Sequence, residues 1–205
     1  MNLLSLKSVV RVGSGRGFVI EGRWDRLVIT AAHCLPSFPP CISFAGASER
    51  TYFDLLAPLG GEPSVAAECL FVDPIGDIAV LGTPDSNELS AQYEAYDSML
   101  SELDAVEIGS MQREIDRAWL LSLDNQWFRC AVKRRPGEAL WIENATKGIR
   151  AGMSGSPIMT ESGEAIGVVV TSSSTGDQEI DTKGGPNPYL TGNLPGWIFA
   201  THEQW

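Results

Sequence analysis

The segment GMSGSP at residues 152–157 contains the serine best suited to act as a nucleophile. A serine hydroxyl reacts poorly unless a nearby base takes its proton and hydrogen-bond donors stabilise the oxyanion that forms. Gly152, two positions before Ser154, allows a tight turn in which the N–H groups of Gly152 and Ser154 point at one spot. Ser156 lacks such a glycine, so the pattern favours Ser154. Taken alone, a Gly-Ser-Pro cluster is more often a structural turn.

Two histidines could serve as the base, His33 and His202. His33 directly follows the apolar segment 28–32, where a strand would end, whereas His202 lies in the polar tail 201–205. Taken alone, a histidine at a strand end is more often a hydrogen-bonded structural residue. If the protein uses a histidine base, the sequence predicts that it is His33.

An aspartate, Asp77, stands directly before the apolar run 78–81. A buried carboxylate there could orient an imidazole and stabilise its charged form, or it could cap a turn. Asp73 is followed by a proline and is more typical of a turn residue. The order His33, Asp77, Ser154 differs from that of the α/β-hydrolase and subtilisin triads, and the three together are far more specific than any one alone.

The composition excludes several classes of protein. The 205 residues carry a formal net charge of −11 and are 43% hydrophobic, which is ordinary for a globular chain. An acidic chain is a poor candidate for nucleic acid or anionic membranes, so neither partner is expected. No apolar run approaches the roughly 18 residues of a membrane span, and the N-terminus does not resemble a secretory signal. These features predict a cytoplasmic protein.

The cysteines do not form a metal-binding pattern. None of the four, Cys34, Cys41, Cys69 and Cys130, has C-x-x-C spacing, and only two histidines accompany them. We therefore expect no metal site and no cofactor. Free thiols are favoured over two disulfides in a chain of this size without a signal.

Most of the chain is typical of short strands separated by turn residues, which predicts an all-β protein of antiparallel sandwiches or barrels. One segment, 85–103, has helical spacing of its apolar residues and is predicted to be a linker helix capped by Asp85 or Ser86. A short helix is expected in the C-terminal tail after a loop over 176–193. The predicted strands are 8–12, 17–21, 26–30, 41–44, 50–56, 66–72, 77–81, 105–108, 118–123, 127–133, 139–143, 156–159, 165–171 and 197–200.

The segments 15–20, 29–34, 76–81, 152–157 and 163–170 follow one another as in a known family. With them, about residues 8–172 resemble the trypsin-like serine peptidases of the chymotrypsin fold. The helical insert and the tail 187–197 resemble bacterial intracellular members. The resemblance implies two antiparallel six-stranded β-barrels with the active site between them. It implies an N-terminal barrel over 1–84, a helical linker over 85–103 and a C-terminal barrel over 104–205.

The resemblance also implies roles for individual residues. His33 and Asp77 would come from the first barrel and Ser154 from the second, with the N–H groups of Gly152 and Ser154 forming the oxyanion hole. A polypeptide substrate is implied, with its backbone paired to the strand 168–172. The residues expected to bind substrate are Gly148, Ile149, Arg150, Ala151, Val170, Thr171 and Ser172.

Three departures from the family pattern bear on activity. No cysteine on the second strand could pair with Cys34, which supports a reducing compartment. Met153 stands where secreted zymogens carry an acid, so that activation switch is missing. Val170 stands where animal members have a serine that supports the aspartate.

Gly148 is expected near the base of the specificity pocket, where no acid is available to receive Arg or Lys. This favours small or apolar residues before the cut.

The expected function is that of a serine endopeptidase, open to regulation by a partner protein or a fused module. Two alternatives stay open. One is a latent or non-catalytic protein-binding module of the same fold, and the other is acyl transfer to a substrate such as an ester, since the acyl-enzyme chemistry is shared.

Overall fold

Twelve strands in two sets of six form the framework of this computed structural model, which describes residues 4–40, 46–111, 114–137, 139–170 and 182–199. The first set is β1 Val9–Val12, β2 Gly15–Glu21, β3 Arg26–Thr30, β4 Thr51–Pro58, β5 Val65–Asp73 and β6 Ile78–Gly82. The second set is β7 Glu114–Leu121, β8 Trp127–Arg135, β9 Ala139–Glu143, β10 Pro157–Thr160, β11 Ala165–Val168 and β12 Gly184–Pro188.

Short helices connect these strands. The α-helices are α1 Ala47–Arg50, α2 Ser90–Ser101 and α3 Leu190–Asn193. Three 3₁₀ turns cover Leu6–Ser8, Ala32–Cys34 and Gly196–Ile198. Within the described ranges, no helix is long and apolar enough to span a membrane.

The first six strands close into an antiparallel barrel in the order β1-β2-β3-β6-β5-β4. Its interior is filled by fully buried side chains such as Phe18, Ile29 and Leu56. The end of β3 pairs with the start of β6, with Thr30 opposite Ala79. The residues that follow β3 and those that precede β6 therefore meet at one end of the barrel, because antiparallel partners run in opposite directions.

The other six strands form an antiparallel sheet in the order β11-β10-β7-β8-β9-β12. Its two edge strands approach through a bridge between Gly167 in β11 and Tyr189, which directly follows β12. The sheet is thereby a nearly closed second barrel. Two antiparallel six-stranded barrels were expected from the resemblance, and that prediction is confirmed.

The helix α2 covers the outside of the first barrel. Tyr96 and Leu100 are buried, and the Tyr96 hydroxyl donates to the carbonyl of Arg26 at 2.9 Å. The Arg26 guanidinium in turn donates to the carbonyls of Leu100 and Leu103 at 2.7 and 2.6 Å. Leu100 lies in the last turn of α2 and Leu103 lies just beyond the helix, so this arginine holds the end of the helix on the barrel.

The predicted cap of this helix was wrong. Helix α2 begins at Ser90, after an N-cap position filled by Leu89, rather than near Asp85 or Ser86. The Asp85 side chain instead accepts the N–H of Asn87 at 2.7 Å in a preceding turn. Aspartate forms such local turns readily, so the chain turns once more before the helix starts.

Three segments differ from the prediction in the type of secondary structure that they form. Residues 105–108 contribute one isolated bridge, from Ile108 to Ala165, and Gly196–Ile198 is a 3₁₀ turn rather than a strand. Conversely, β12 lies inside the segment predicted as a loop, and its sequence GGPNP has little intrinsic β preference. It is a strand because it pairs with β9, which is a tertiary effect. The predicted strand 41–44 lies outside the described residues.

Three cysteines, Cys34, Cys69 and Cys130, are buried free thiols. Burial raises their pKa values, to about 11 for Cys34 and Cys69 and about 12 for Cys130. All three are therefore neutral thiols near pH 7, and none is an activated nucleophile. Cys41 lies outside the described residues.

Candidate active site

His33 and Asp77 meet at the end of the first barrel where β3 finishes and β6 begins. His33 lies in the 3₁₀ turn after β3, between the buried side chains of Ala32 and Cys34. Its backbone N–H donates to Oδ1 of Asp77 at 2.9 Å. Its ring Nδ1 lies 2.7 Å from Oδ2 of the same carboxylate. Two bonds from one carboxylate fix both the position and the rotation of the imidazole.

This geometry gives the carboxylate of Asp77 two partners on one residue. Asp77 has a positive φ of 54°, a conformation that aspartate tolerates better than most residues. Because Val170 has no hydroxyl that could donate to Asp77, the carboxylate needs other hydrogen-bond donors. The backbone N–H of His33 is one of them. The tautomer with its proton on Nδ1 satisfies Oδ2 of Asp77 and leaves Nε2 with a free lone pair. The His33 side chain is 47% exposed and Asp77 is 27% exposed, so the imidazole is open to a substrate.

The loop that carries Ser154 is bonded to both barrels. The carbonyl of Ser154 accepts the backbone N–H of Arg16 in β2 at 2.8 Å, and the N–H of Gly155 donates to the carbonyl of Val169 at 2.7 Å. The thiol of Cys34, the residue after His33, lies 3.8 Å from the same Ser154 carbonyl oxygen. The structure therefore brings Ser154 to the end of the first barrel that carries His33 and Asp77.

Two glycines are required for this close approach. A Cβ on Gly155 would overlap the carbonyl oxygen of Arg16, and the φ of Gly155 is +83°. A Cβ on Gly15 would overlap the thiol of Cys34 and approach the Ser154 carbonyl to 2.8 Å. The glycines of the GSGRGF and GMSGSP segments thus allow the two barrels to touch at backbone distance.

The residues before Ser154 leave two backbone donors available. Gly152 has a φ of +88°, which suits glycine alone among residue types without strain. Met153 donates its N–H to the carbonyl of Arg150 at 3.1 Å. Among the residues that the structure describes, the N–H groups of Gly152 and Ser154 have no acceptor. Both are free to donate to an oxyanion.

Met153 holds the loop through an apolar contact. Its side chain is buried in the core of the second barrel, and its sulfur accepts the N–H of Arg150 at 3.3 Å. In this chain the loop is therefore held by burial of a thioether at the position where secreted zymogens use an ion pair.

The residues expected to bind substrate are spread over different environments. Gly148 and Arg150 line a cavity of about 390 Å³ together with the turn between β7 and β8. Ile149 is buried in the core of the second barrel, and Ala151 is exposed. The N–H of Val170 donates to Oδ1 of Asn187 at 2.9 Å. Thr171 and Ser172 lie outside the described residues. The other residues lining the cavity are Ser122, Leu123, Asp124, Thr146, Lys147 and Met153.

Sequence reasoning missed Arg16 and Asn187 as residues of this region. Arg16 is only 6% exposed although it is charged, and Asn187 is fully buried in β12, opposite Leu140 of β9. An arginine inside the otherwise small and apolar segment GRGFVI is a signal that could have been used, since a buried arginine nearly always has partners. Asn187 gave no comparable signal.

Ser156 is predicted to destabilise the protein slightly. It is fully buried, and its hydroxyl has no hydrogen-bond partner within the described part of the chain. An unsatisfied buried hydroxyl costs about 1–3 kcal/mol. We expect Ser156→Ala to raise the free energy of unfolding by about 1 kcal/mol and Tm by about 3 °C, measured by thermal denaturation. A lower Tm would mean that the hydroxyl is satisfied.

Comparison with known proteins gives one family and a shared fold. The family model "Trypsin-like peptidase domain" matches residues 15–168, and no curated protein matches the sequence. The structure of the HtrA-type protease AlgW with decapeptide is similar with a TM-score of 0.53 and 16% identity, covering 86% of this chain and 48% of that chain. The Rv3671c protease in its inactive form is similar with a TM-score of 0.55 and 16% identity, covering 91% and 85%. The chain thus spans about half the length of the AlgW chain, and at this identity the likeness shows the fold.

Proposed function

The chain belongs to the trypsin-like peptidase domain family, and we propose on that premise that it is a serine endopeptidase whose catalytic triad is His33, Asp77 and Ser154. One observation carries the proposal. His33 is held on Asp77 by bonds of 2.9 and 2.7 Å, at the end of the barrel to which the Ser154 loop is bonded. A nucleophile, a base and a carboxylate that orients the base are the three groups that acyl transfer requires.

The proposed reaction starts with attack of Ser154 Oγ on the carbonyl carbon of the scissile peptide bond. Nε2 of His33 takes the serine proton as the C–O bond forms, and Asp77 stabilises the imidazolium through its Nδ1–H. Collapse of the tetrahedral intermediate breaks the C–N bond, and His33 gives its proton to the leaving amine. A water molecule then attacks the acyl-enzyme by the same steps, which releases the acid and restores Ser154.

The oxyanion of both intermediates would accept hydrogen bonds from the N–H groups of Gly152 and Ser154. The lack of any other acceptor for these two donors in the described ranges supports this role. Such donors contribute most when they are fixed before the reaction begins. The bonds that hold Met153, Gly155 and the Ser154 carbonyl support a preformed hole rather than one that must be assembled.

A polypeptide is the substrate class that we propose. AlgW, which shares the fold, has been solved with a decapeptide, and pairing of an extended peptide with a strand edge is a common recognition mode. We place the substrate beside 148–151 and 170–172. Residues 146–151 contain no acid, and the carboxylate of Asp124, which lines the same cavity, is paired with Lys147 at 3.2 Å. We therefore propose that the side chain before the cut is small or apolar. A library of peptides derived from a proteome, sequenced after cleavage, measures this preference.

We further propose that the chain divides into an N-terminal unit over 1–84, a linker over 85–103 and a C-terminal unit over 104–205. The position of α2 between β6 and β7 supports these bounds. We also propose a cytoplasmic, reducing compartment. The buried free thiols of Cys34, Cys69 and Cys130 are compatible with it.

The proposed activity is tested with a fluorescent fluorophosphonate, which phosphonylates an activated serine. We expect the purified wild-type chain to be labelled, and peptide mass spectrometry to find the adduct on Ser154. Ser154→Ala and His33→Ala should not be labelled, whereas Ser156→Ala should be labelled like the wild type. Cleavage of the peptide library then distinguishes a peptidase from an esterase.

The alternative functions give different results. A non-catalytic binding module would show no labelling under any condition. A latent protease would be labelled only after a partner protein is added. An adduct on a serine other than Ser154 would overturn the proposed mechanism.

A further inference from the structure

Arg16 is a buried charge that crosses from the first barrel to the second. Its Nη1 donates to the carbonyl of Leu121 at 3.0 Å, and its Nη2 donates to Oδ1 of Asn125 at 3.1 Å. Burial lowers the pKa of the guanidinium, and the nearby carboxylate of Asp124 opposes that shift. Arginine stays charged in this setting, so a full positive charge is held against the turn that joins β7 and β8.

The backbone of the same residue holds the Ser154 loop. The N–H of Arg16 donates to the Ser154 carbonyl at 2.8 Å. The carbonyl of Arg16 accepts the hydroxyl of Thr30 at 2.6 Å and faces Gly155 at a distance that only glycine permits. Arg16 therefore contacts the Ser154 loop through its main chain and the β7–β8 turn through its side chain.

The β7–β8 turn, residues 122–126, packs against the residues expected to form the oxyanion hole. A Cβ placed on Gly152 would lie 3.4 Å from Cδ2 of Leu123, so this leucine, which is 48% exposed, is the side chain that faces Gly152. Asn125 has a positive φ of 57°, and its N–H donates to the carbonyl of Ser122 at 3.0 Å. The turn is thus a tight structure whose position decides where Leu123 stands.

A second contact ties this turn to the loop before Ser154. Nζ of Lys147 lies 3.2 Å from the Asp124 carboxylate and 2.8 Å from the side-chain oxygen of Gln126. Since Lys147 begins the stretch that leads through Arg150 and Met153 to Ser154, the turn is held against both the start of that stretch and Gly152.

We propose that Arg16 is a positioning residue for the oxyanion hole: its guanidinium fixes the β7–β8 turn, which through Leu123 holds the N–H of Gly152 in place. The role rests on the proposed serine peptidase function. Arginine suits it because a planar guanidinium supplies two donors in a fixed geometry for two acceptors. A lysine at this position would reach one of the two acceptors.

The experiment measures saturation kinetics of fluorophosphonate labelling, which separate initial binding, KI, from the phosphonylation rate, kinact. We expect Arg16→Met to lower kinact by about 10- to 100-fold, because an oxyanion donor that is out of place gives up part of the transition-state stabilisation that a deleted donor gives up entirely. KI should change less than about threefold. Arg16→Lys should recover part of the rate. Asn125→Gly, which keeps the positive φ but removes the acceptor, should lower kinact in the same direction.

The matched control is Arg26→Met. Arg26 also lies in the first barrel and also donates to two distant backbone carbonyls, but it holds α2 rather than the Ser154 loop. All variants are assayed well below their Tm. If Arg26→Met lowers Tm as much as Arg16→Met does but leaves kinact unchanged, loss of stability does not account for the effect of Arg16.

The outcomes are distinguishable. Wild-type labelling at Ser154 with equal kinact in Arg16→Met and Arg26→Met overturns the role of Arg16 and leaves the proposed function standing. Failure of the wild type to label, with or without a partner protein, overturns the proposed function and this role with it. If Arg16→Met does not fold, Arg16→Lys and Asn125→Gly decide the question, and wild-type kinact in both contradicts the proposal. Additive effects of Arg16→Lys and Asn125→Gly in the double variant would also contradict it, since residues that act through one contact are not additive.

Discussion

Ser154→Ala is expected to abolish peptide cleavage and fluorophosphonate labelling, with a loss in rate of about 10⁴- to 10⁶-fold. The variant removes the atom proposed to form the acyl-enzyme, and the chain would be left with the stabilisation that the proposed oxyanion donors provide. The fold should be preserved. The contacts that hold the loop come from the backbone of Ser154 and Gly155, and alanine keeps them.

Thermal denaturation checks that the loss comes from chemistry and not from unfolding. We expect the free energy of unfolding of Ser154→Ala to stay within about 1 kcal/mol of the wild type, because its hydroxyl makes no hydrogen bond to any residue that the structure describes. Ser156→Ala is the matched control, because it makes the same change two residues along the same loop and should keep full activity. Cleavage that persists in Ser154→Ala, or that disappears in Ser156→Ala, would assign the nucleophile to another residue.

Asp77→Asn is expected to lower activity by about 10⁴-fold at neutral pH. The geometry gives the reason. The backbone N–H of His33 needs an acceptor at the position of Oδ1, so the amide of the variant must place its oxygen there. Its NH₂ group then faces Nδ1 of His33, where Oδ2 now lies at 2.7 Å. Nδ1 is forced to accept a hydrogen bond, the ring proton moves to Nε2, and His33 can no longer take the proton of Ser154.

The effect on stability should be small, because asparagine tolerates the positive φ of this position as well as aspartate does. The matched control is Asp73→Asn. Asp73 lies one turn earlier and accepts the N–H of Ile75 at 2.9 Å, a bond that an asparagine oxygen can also make. We expect Asp73→Asn to keep wild-type activity and Tm. Turnover of Asp77→Asn within tenfold of the wild type would show that the carboxylate does not orient the base.

The candidate site could be predicted because three short segments, each weak when taken alone, occur together in the order of one family. His33 follows an apolar strand, Asp77 precedes one, and Ser154 stands between two glycines. The structure brings the three segments to one end of the first barrel, where β3 and β6 pair and β2 meets the Ser154 loop. The roles of the three residues stay predictions until the kinetic experiments are done.

Elements without local signals were predicted poorly. The strand β12 is rich in glycine and proline and forms because β9 offers it a partner. Residues 105–108 are apolar but contribute one bridge. Helix α2 begins later than predicted because the Asp85 side chain accepts the N–H of Asn87 in a turn before the helix. In each case a competing local bond or a distant partner outweighed intrinsic preference.

The sequence by itself determined the all-β architecture and the choice of His33, Asp77 and Ser154 as candidates, whereas the two sets of six strands were implied by the family resemblance. The architecture and the candidates follow from alternation of apolar residues, from turn residues and from motif order, which are properties of neighbouring positions. Only the tertiary structure decided how the Ser154 loop is held and why Arg16 is buried. The partners of Arg16 lie more than 100 positions away, and a hydrogen bond between residues so distant in the chain exists only once both barrels have folded and met.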